Sequence, residues 1–187
     1  AILLVNGTVF DDALSHKILQ DWLLPIGLIT SLYGVIGAIG AERLRRFVGF
    51  MVLSSIGTIL IAISMLNTQA WSAALYYLVH STLIAAAFYL LCGWITSQRG
   101  AFKDHFNVAP QMKQHKVLAI TYFMIALMMA GLPPFSGFLG KVFILQATAN
   151  MAHQGWIIGI ILLVSFQIFI AFTHRSVIIF WRKTTPD

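Results

Sequence analysis

Long apolar runs joined by short polar connections organise this chain. Trp22 to Ala41 is twenty residues without a charge, and Phe47 to Gln98 is fifty-two residues in which His80 is the only ionisable base. A bilayer core of about 30 Å takes about 20 helical residues, so these runs predict membrane spans rather than buried helices of a soluble fold. Five spans fit the pattern, at roughly 22–41, 47–66, 70–95, 117–149 and 155–174. Asn67, Thr68 and Gln69 form a polar turn between the second and third. A longer loop, TSQRGAFKDHFNVAPQMKQHK, with Gly100 and Pro110 as breakers, separates the third from the fourth. The expectation is an all-α integral membrane fold with about five transmembrane helices, one of them discontinuous.

The discontinuity is expected in the fourth span. Val117 to Ala149 is thirty-three residues, about 50 Å as one straight helix at about 1.5 Å per residue, which overshoots the bilayer. The stretch AGLPPFSGFLGK resolves the excess. Pro133 and Pro134 remove donors and push the preceding residue out of the helical region, while Gly131 and Gly137 permit loop angles. The span is therefore expected to break near 133–137 into halves of about 117–132 and 138–150. Unwound backbone at that depth survives only where protein or a water-filled cavity satisfies it, and such breaks mark ion and substrate sites in transporters.

Composition agrees: hydrophobic residues make up 59% of the chain and charged residues 10%, against roughly 25% charged in a typical soluble domain. Mean hydropathy is +0.85. Cys92 lies inside a span with no partner cysteine. No basic segment precedes the opening AILLVNGTVF, and residues 1–10 read as the tail of a longer, truncated helix. Residues 11–181 then form the membrane domain, and 182–187 a tail. The net charge of +6 does not point to nucleic acid, because the cations sit in the connections. Residues 11–21 are net acidic, whereas 42–46, 96–116 and the C-terminal segment are basic. Ten of the twelve cations fall on one side, which the positive-inside rule makes cytoplasmic, together with the C-terminus.

Gly27, Ser31, Gly34, Ala38 and Ala41 form a small-residue stripe on the first span, and Ser54, Ser55, Gly57 and Thr58 a small polar patch on the second. Close helix packing explains both; a water path lined by some of the hydroxyls is the alternative. Lys141 is different. It falls on the first turn of the second half-helix, near the membrane midplane, where an ammonium is costly and its presence is functional by default. Snorkelling to the interface, the competing explanation, asks its head to climb on the order of 12 Å of helix. The functional reading makes Lys141 a proton carrier alternating between charged and neutral forms. No Asp or Glu lies within any of the five spans. The nearest proton-relay candidate is His80 in YYLVHST, with Tyr76, Tyr77 and Ser81 around it; Tyr76 and His80 share a face at i, i+4. A histidine bonded to a neighbouring helix for packing is the plainer alternative. Ser136, within the break itself, is a further supporting candidate. The sequence carries no Walker loop, CxxC, GxGxxG, nucleophile elbow or HxxxH metal spacing, and no cofactor or metal is expected.

AGLPPFSGFLGK followed by VFILQA resembles the discontinuous helix of the antiporter-like proton-translocating membrane family, which comprises the Mrp-type multisubunit Na⁺/H⁺ antiporters and the antiporter-like subunits of complex I and membrane hydrogenases. YYLVHSTLIAAAFYLLCGWI is similar to the family's preceding histidine-bearing helix, and RLRRFVGFMVLSSIGTILIAIS to the helix that opens with a basic cluster. HSTL, AGLPPFSGFLGK and the ending IIFWR look most like the D-subunit branch of the Mrp antiporters. The resemblance implies that Lys141 and His80 lie on a hydrophilic axis crossing the membrane midplane. It also implies that this chain is a C-terminal portion whose first charged pair lies upstream. The functional expectation is a secondary-transporter subunit, not an enzyme, that moves H⁺ against Na⁺ in the plasma membrane. Its partners would be the missing N-terminal part and the other membrane subunits of the complex. A redox-driven pump subunit of complex I or membrane-hydrogenase type is one alternative, and an inactive membrane scaffold another.

Overall fold

The computed structural model describes residues 13–100, 104–106, 112–149 and 154–181, with side chains from residue 21 onward. The proposed upstream helix end (1–10) and tail (182–187) lie outside the described residues. So do Asp11, Asp12, Lys103, Pro110, His153, Arg182, Lys183 and Asp187, and the side chains of His16 and Lys17.

Among the described residues six α-helices follow one another: α1 (Ala13–Ile39), α2 (Leu44–Ser64), α3 (Thr68–Gln98), α4 (His115–Ala130), α5 (Ser136–Ala147) and α6 (Gln154–Ser176), the last running into a π-helical turn, Val177–Trp181. Among the described residues there is no strand, only an isolated bridge between Arg43 and His105. Four of these described helices are long and apolar enough to cross a membrane, and α4 and α5 are shorter apolar helices in tandem. The fold is that of an all-α membrane protein with one discontinuous helix. Helix α1 begins at Ala13, upstream of the apolar run at 22. Leu14, Ile18 and Trp22 recur at four-residue spacing, so the helical period continues through a segment whose charges suggest a connection. Asn67 caps α3: its side chain accepts the Ala70 N–H at 2.6 Å, an N-cap bond that satisfies one of the free amides of the first turn.

Helices α1 and α2 lie backbone to backbone. A methyl group at Gly34 would stand 2.8 Å from the Phe50 carbonyl oxygen, and one at Gly57 2.7 Å from the Gly27 carbonyl oxygen. The small-residue stripe is thus what lets the two helices touch. Below them the rings of Phe47, Phe88, Tyr122 and Phe172 meet with centroids 5.0–6.2 Å apart and tie α2, α3, α4 and α6 together. A second, smaller core joins the end of α2, the start of α3, α5 and the start of α6 around Ile61, Ala70, Ile144 and Ile157.

The connections that carry the cations meet at one end of this bundle. Leu44 donates to the Asp104 carbonyl at 2.7 Å and Phe106 to the Glu42 carbonyl at 3.0 Å. Arg175 reaches the Ile39 carbonyl and covers the Phe106 ring, 4.5 Å from its centroid. Asn67 and Ala147 mark the opposite end, joined by a bond of 3.4 Å.

Candidate functional site

The break has a backbone logic. Gly131 takes φ +75°, a left-handed conformation that suits glycine, and its N–H and that of Leu132 both donate to the Leu127 carbonyl at 3.1 Å. This Schellman-type stop ends α4. The last two carbonyls of the helix, at Met129 and Ala130, would find their donors four residues on, at positions 133 and 134. Both are proline and have no N–H. The double proline therefore does more than stop a helix: it leaves two adjacent carbonyls of the last turn without backbone donors.

Lys141 satisfies them. From the second turn of α5 its side chain runs back toward the helix start, as helical side chains do, and crosses the break. Nζ lies 2.7 Å from the Ala130 carbonyl oxygen, 3.5 Å from that of Met129 and 2.8 Å from Ser165 Oγ on α6. The residue is 6% exposed. This corrects one expectation. Helix α5 starts at Ser136, so Lys141 is past its first turn, and its ammonium is carried back across the break. It rests on the C-terminal carbonyls of α4, the negative end of the other half-helix, which favours a cation. Gly131 also has a second reason to be glycine, since a methyl there would stand 2.8 Å from Lys141 Cδ and 3.0 Å from Nζ.

His80 stands on the other side of the same break, near the middle of α3. Its Nδ1 is 2.9 Å from Ser136 Oγ at the start of α5, and its ring faces the Met128 carbonyl. Gly137 makes room: a methyl at that position would collide with the Met128 carbonyl and stand 2.8 Å from His80 Nε2. Three consecutive carbonyls, those of Met128, Met129 and Ala130, thus separate the histidine from the lysine. Tyr77 is buried beside His80, ring centroids 6.0 Å apart, and its phenol faces the Ser55 and Thr58 hydroxyls of α2. Tyr76 shares the His80 groove but packs its ring on Phe143 at 5.6 Å. The Ser81 hydroxyl donates to Leu78 of its own helix at 3.1 Å. Among the described residues no group of three or more His, Cys, Asp or Glu side chains is placed to hold a metal ion.

A family model described as "NADH:quinone oxidoreductase/Mrp antiporter, TM" matches residues 1–171. The chain belongs to this family. It is 29% identical over 185 residues to the D subunit of the Na⁺/H⁺ antiporter of Bacillus subtilis (strain 168), a match covering 95% of this chain and 35% of that protein. It is 30% identical over 207 residues to the D subunit of a probable K⁺/H⁺ antiporter of Rhizobium meliloti (strain 1021), covering 96% of this chain and 38% of the relative. The Mrp complex from Dietzia sp. DQ12-45-1b contains a chain that superposes with a TM-score of 0.76 at 27% identity, over 89% of this chain and 32% of that one. The chain spans little more than a third of the length of the curated relatives it matches.

As a member of the NADH:quinone oxidoreductase/Mrp antiporter family, the chain is an antiporter-like membrane-subunit segment of Mrp or complex I type. Two participants in its candidate site escape sequence reasoning. Ser165 is one, a lone hydroxyl in the apolar run of α6 whose only advance signal is its isolation in LLVSFQIF. The freed carbonyls of Met129 and Ala130 are the other, and the rule that proline takes the donor from four residues earlier would have found them.

Proposed function

We propose that this chain is part of a proton-translocating subunit of a multisubunit cation/proton antiporter, with protons passing through Lys141 and His80 across the broken helix. The observation that carries the proposal is the seat of Lys141: a buried amine held by two carbonyls and a hydroxyl, with no carboxylate among its contacts with the described residues. Such a group can lose its proton without leaving an anion behind. Ser136 and Tyr77 support the histidine from two sides, and the run of carbonyls between the two titratable groups lets water bridge them. Sodium is the cation to test first, although of the two similar D subunits one belongs to a Na⁺/H⁺ antiporter and the other to a probable K⁺/H⁺ antiporter. The gathering of the basic connections at one end supports a plasma-membrane orientation with that end, and the C-terminus, in the cytoplasm. The other membrane subunits and the rest of this subunit complete the complex.

The test is sodium-induced collapse of a preformed pH gradient in everted vesicles carrying the parent complex, with and without Lys141→Ala. Collapse in the parent, and none in an assembled variant, is the expected result. A variant that assembles and works normally reduces Lys141 to a cap for α4 and this chain to a scaffold. The family description also covers quinone oxidoreductases, which motivates a redox-driven pump as the second reading. That reading holds if sodium leaves the parent's gradient intact while a reductant builds one.

A further inference from the structure

The polar contacts of Lys141 invite a count of protons. An ammonium has three N–H groups and no lone pair, and it finds three acceptors: the Ala130 and Met129 carbonyl oxygens and Ser165 Oγ. A neutral amine has two N–H groups and one lone pair. The two carbonyls can take the two N–H groups, because carbonyls only accept. The lone pair is then left facing the third partner, which has to become a donor.

Ser165 can do so. Its hydroxyl now donates to the Ile161 carbonyl at 2.8 Å while its oxygen accepts from Nζ. That carbonyl also takes the Ser165 backbone N–H in the helical ladder, so it remains satisfied when the hydroxyl turns away. One rotation about the Cβ–Oγ bond of Ser165 therefore converts the seat of Lys141 from one that fits an ammonium to one that fits an amine, with no buried polar group orphaned in either state. A third carbonyl in the same place could not accommodate the amine.

We infer that Ser165 is a positioning residue for proton transfer at Lys141, its hydroxyl accepting from the ammonium and donating to the amine so that the two protonation states can exchange without rearranging the helices. The inference rests on the proton-carrier role of Lys141. The site has room for a conservative test. Ser165 and Lys141 border a cavity of about 470 Å³ between α5 and α6 that is otherwise lined by apolar groups such as Val142, Ile161 and Phe169. The extra methyl of threonine fits there, and a helical threonine can still bond the i−4 carbonyl.

The experiment compares Ser165→Ala, Ser165→Thr and Lys141→Ala in the parent complex, reading the maximal rate of cation-induced gradient collapse, the cation concentration for half-maximal rate, and subunit assembly. Ser165→Ala should assemble and lose about ten-fold in maximal rate, the scale of one unmade buried hydrogen bond, with the half-maximal cation concentration unchanged. Ser165→Thr should restore the rate to within about two-fold of the parent, well inside that loss. Parent-like rates in Ser165→Ala, or an assembled Ser165→Thr as slow as the alanine variant, overturn the inference. Full activity in Lys141→Ala instead overturns the proton-carrier reading itself, whatever the serine variants do.

Discussion

The α1–α2 pair and the α4–α5 break both bury polar side chains in apolar surroundings, and they treat them in opposite ways. In the first region three hydroxyls bond to carbonyls of their own helices: Ser31 to Leu28, Thr58 to Ser54 and Ser64 to Ile61, at 2.7–3.2 Å. Such bonds are closed within one turn and leave the helices free to pack through glycine. At the break the polar groups bond across elements, Lys141 to α4 and α6 and His80 to α5. The difference teaches where polarity is incidental and where it is organised. A serine that finds a carbonyl on its own helix asks nothing of the fold, whereas a lysine that needs two proline-freed carbonyls needs the fold to bring them.

The largest effect that would separate the two regions is expected at Lys141. Lys141→Met keeps much of the bulk and removes every donor, so the Met129 and Ala130 carbonyls lose their partner. Cation-induced gradient collapse should fall by at least about 100-fold, the low end of what a positioned acid–base group contributes. The assembled subunit should also lose roughly 1–3 kcal/mol of stability in detergent, the cost of unsatisfied buried acceptors. A variant as stable as the parent would show that water or another subunit caps α4 instead.

Next comes Gly57→Leu, which attacks the α1–α2 contact where the side chain would meet Gly27 and Ser31 backbone. Overpacking of this kind costs about 1–3 kcal/mol, and because backbone cannot yield as a side chain can, the upper end is expected. The readout is thermal stability and the amount of assembled subunit. Whatever assembles should transport at a normal rate per subunit, since no proton-bearing group is touched. A slow but fully assembled Gly57→Leu would make the first region part of the path.

Ser136→Ala should have a smaller effect, about five-fold on transport rate, the scale of one modest side-chain hydrogen bond. It removes the 2.9 Å partner of His80 Nδ1 and leaves the ring to the Met128 carbonyl. The expected signature is an unchanged amount of protein with a slower rate. An unchanged rate would reduce His80 to a packing residue.

These contrasts were unequally legible in the sequence. The break announced itself, because two prolines among three glycines can have few meanings inside an apolar run, and a lone lysine or histidine stands out against leucine and alanine. What the linear pattern could not supply was direction. Lys141 could have followed its own helix toward the interface; that it turns back onto α4 depends on where α4 ends in space. Ser165 was illegible for a related reason. Serines in apolar helices commonly bond a carbonyl three or four residues back on their own helix, as Ser165 itself does, and only the arrival of Lys141 from another helix gives the oxygen a second duty. The early start of α1 was missed because Lys17 and Asp21 outweighed a four-residue apolar period.

The smallest expected effect is the most discriminating. Ser64 is fully buried and its hydroxyl donates to Ile61 at 2.7 Å, so burial alone would rank it beside Lys141 as a candidate. Its carbonyl partner lies three residues back on its own helix, and among the described residues no other element contributes a hydrogen bond to it. Ser64→Ala removes donor and acceptor together, at the end of α2 where the Met65 N–H bonds to the Ala62 carbonyl at 3.3 Å, and creates a void no larger than an oxygen atom. Both transport rate and stability should stay within about two-fold and 1 kcal/mol of the parent, the range for one hydrogen bond closed within a single helix. If instead the rate dropped as far as in Ser136→Ala, burial of a hydroxyl would matter regardless of what it bonds. The line drawn between helix-satisfied and cross-element polar groups would then have to be abandoned.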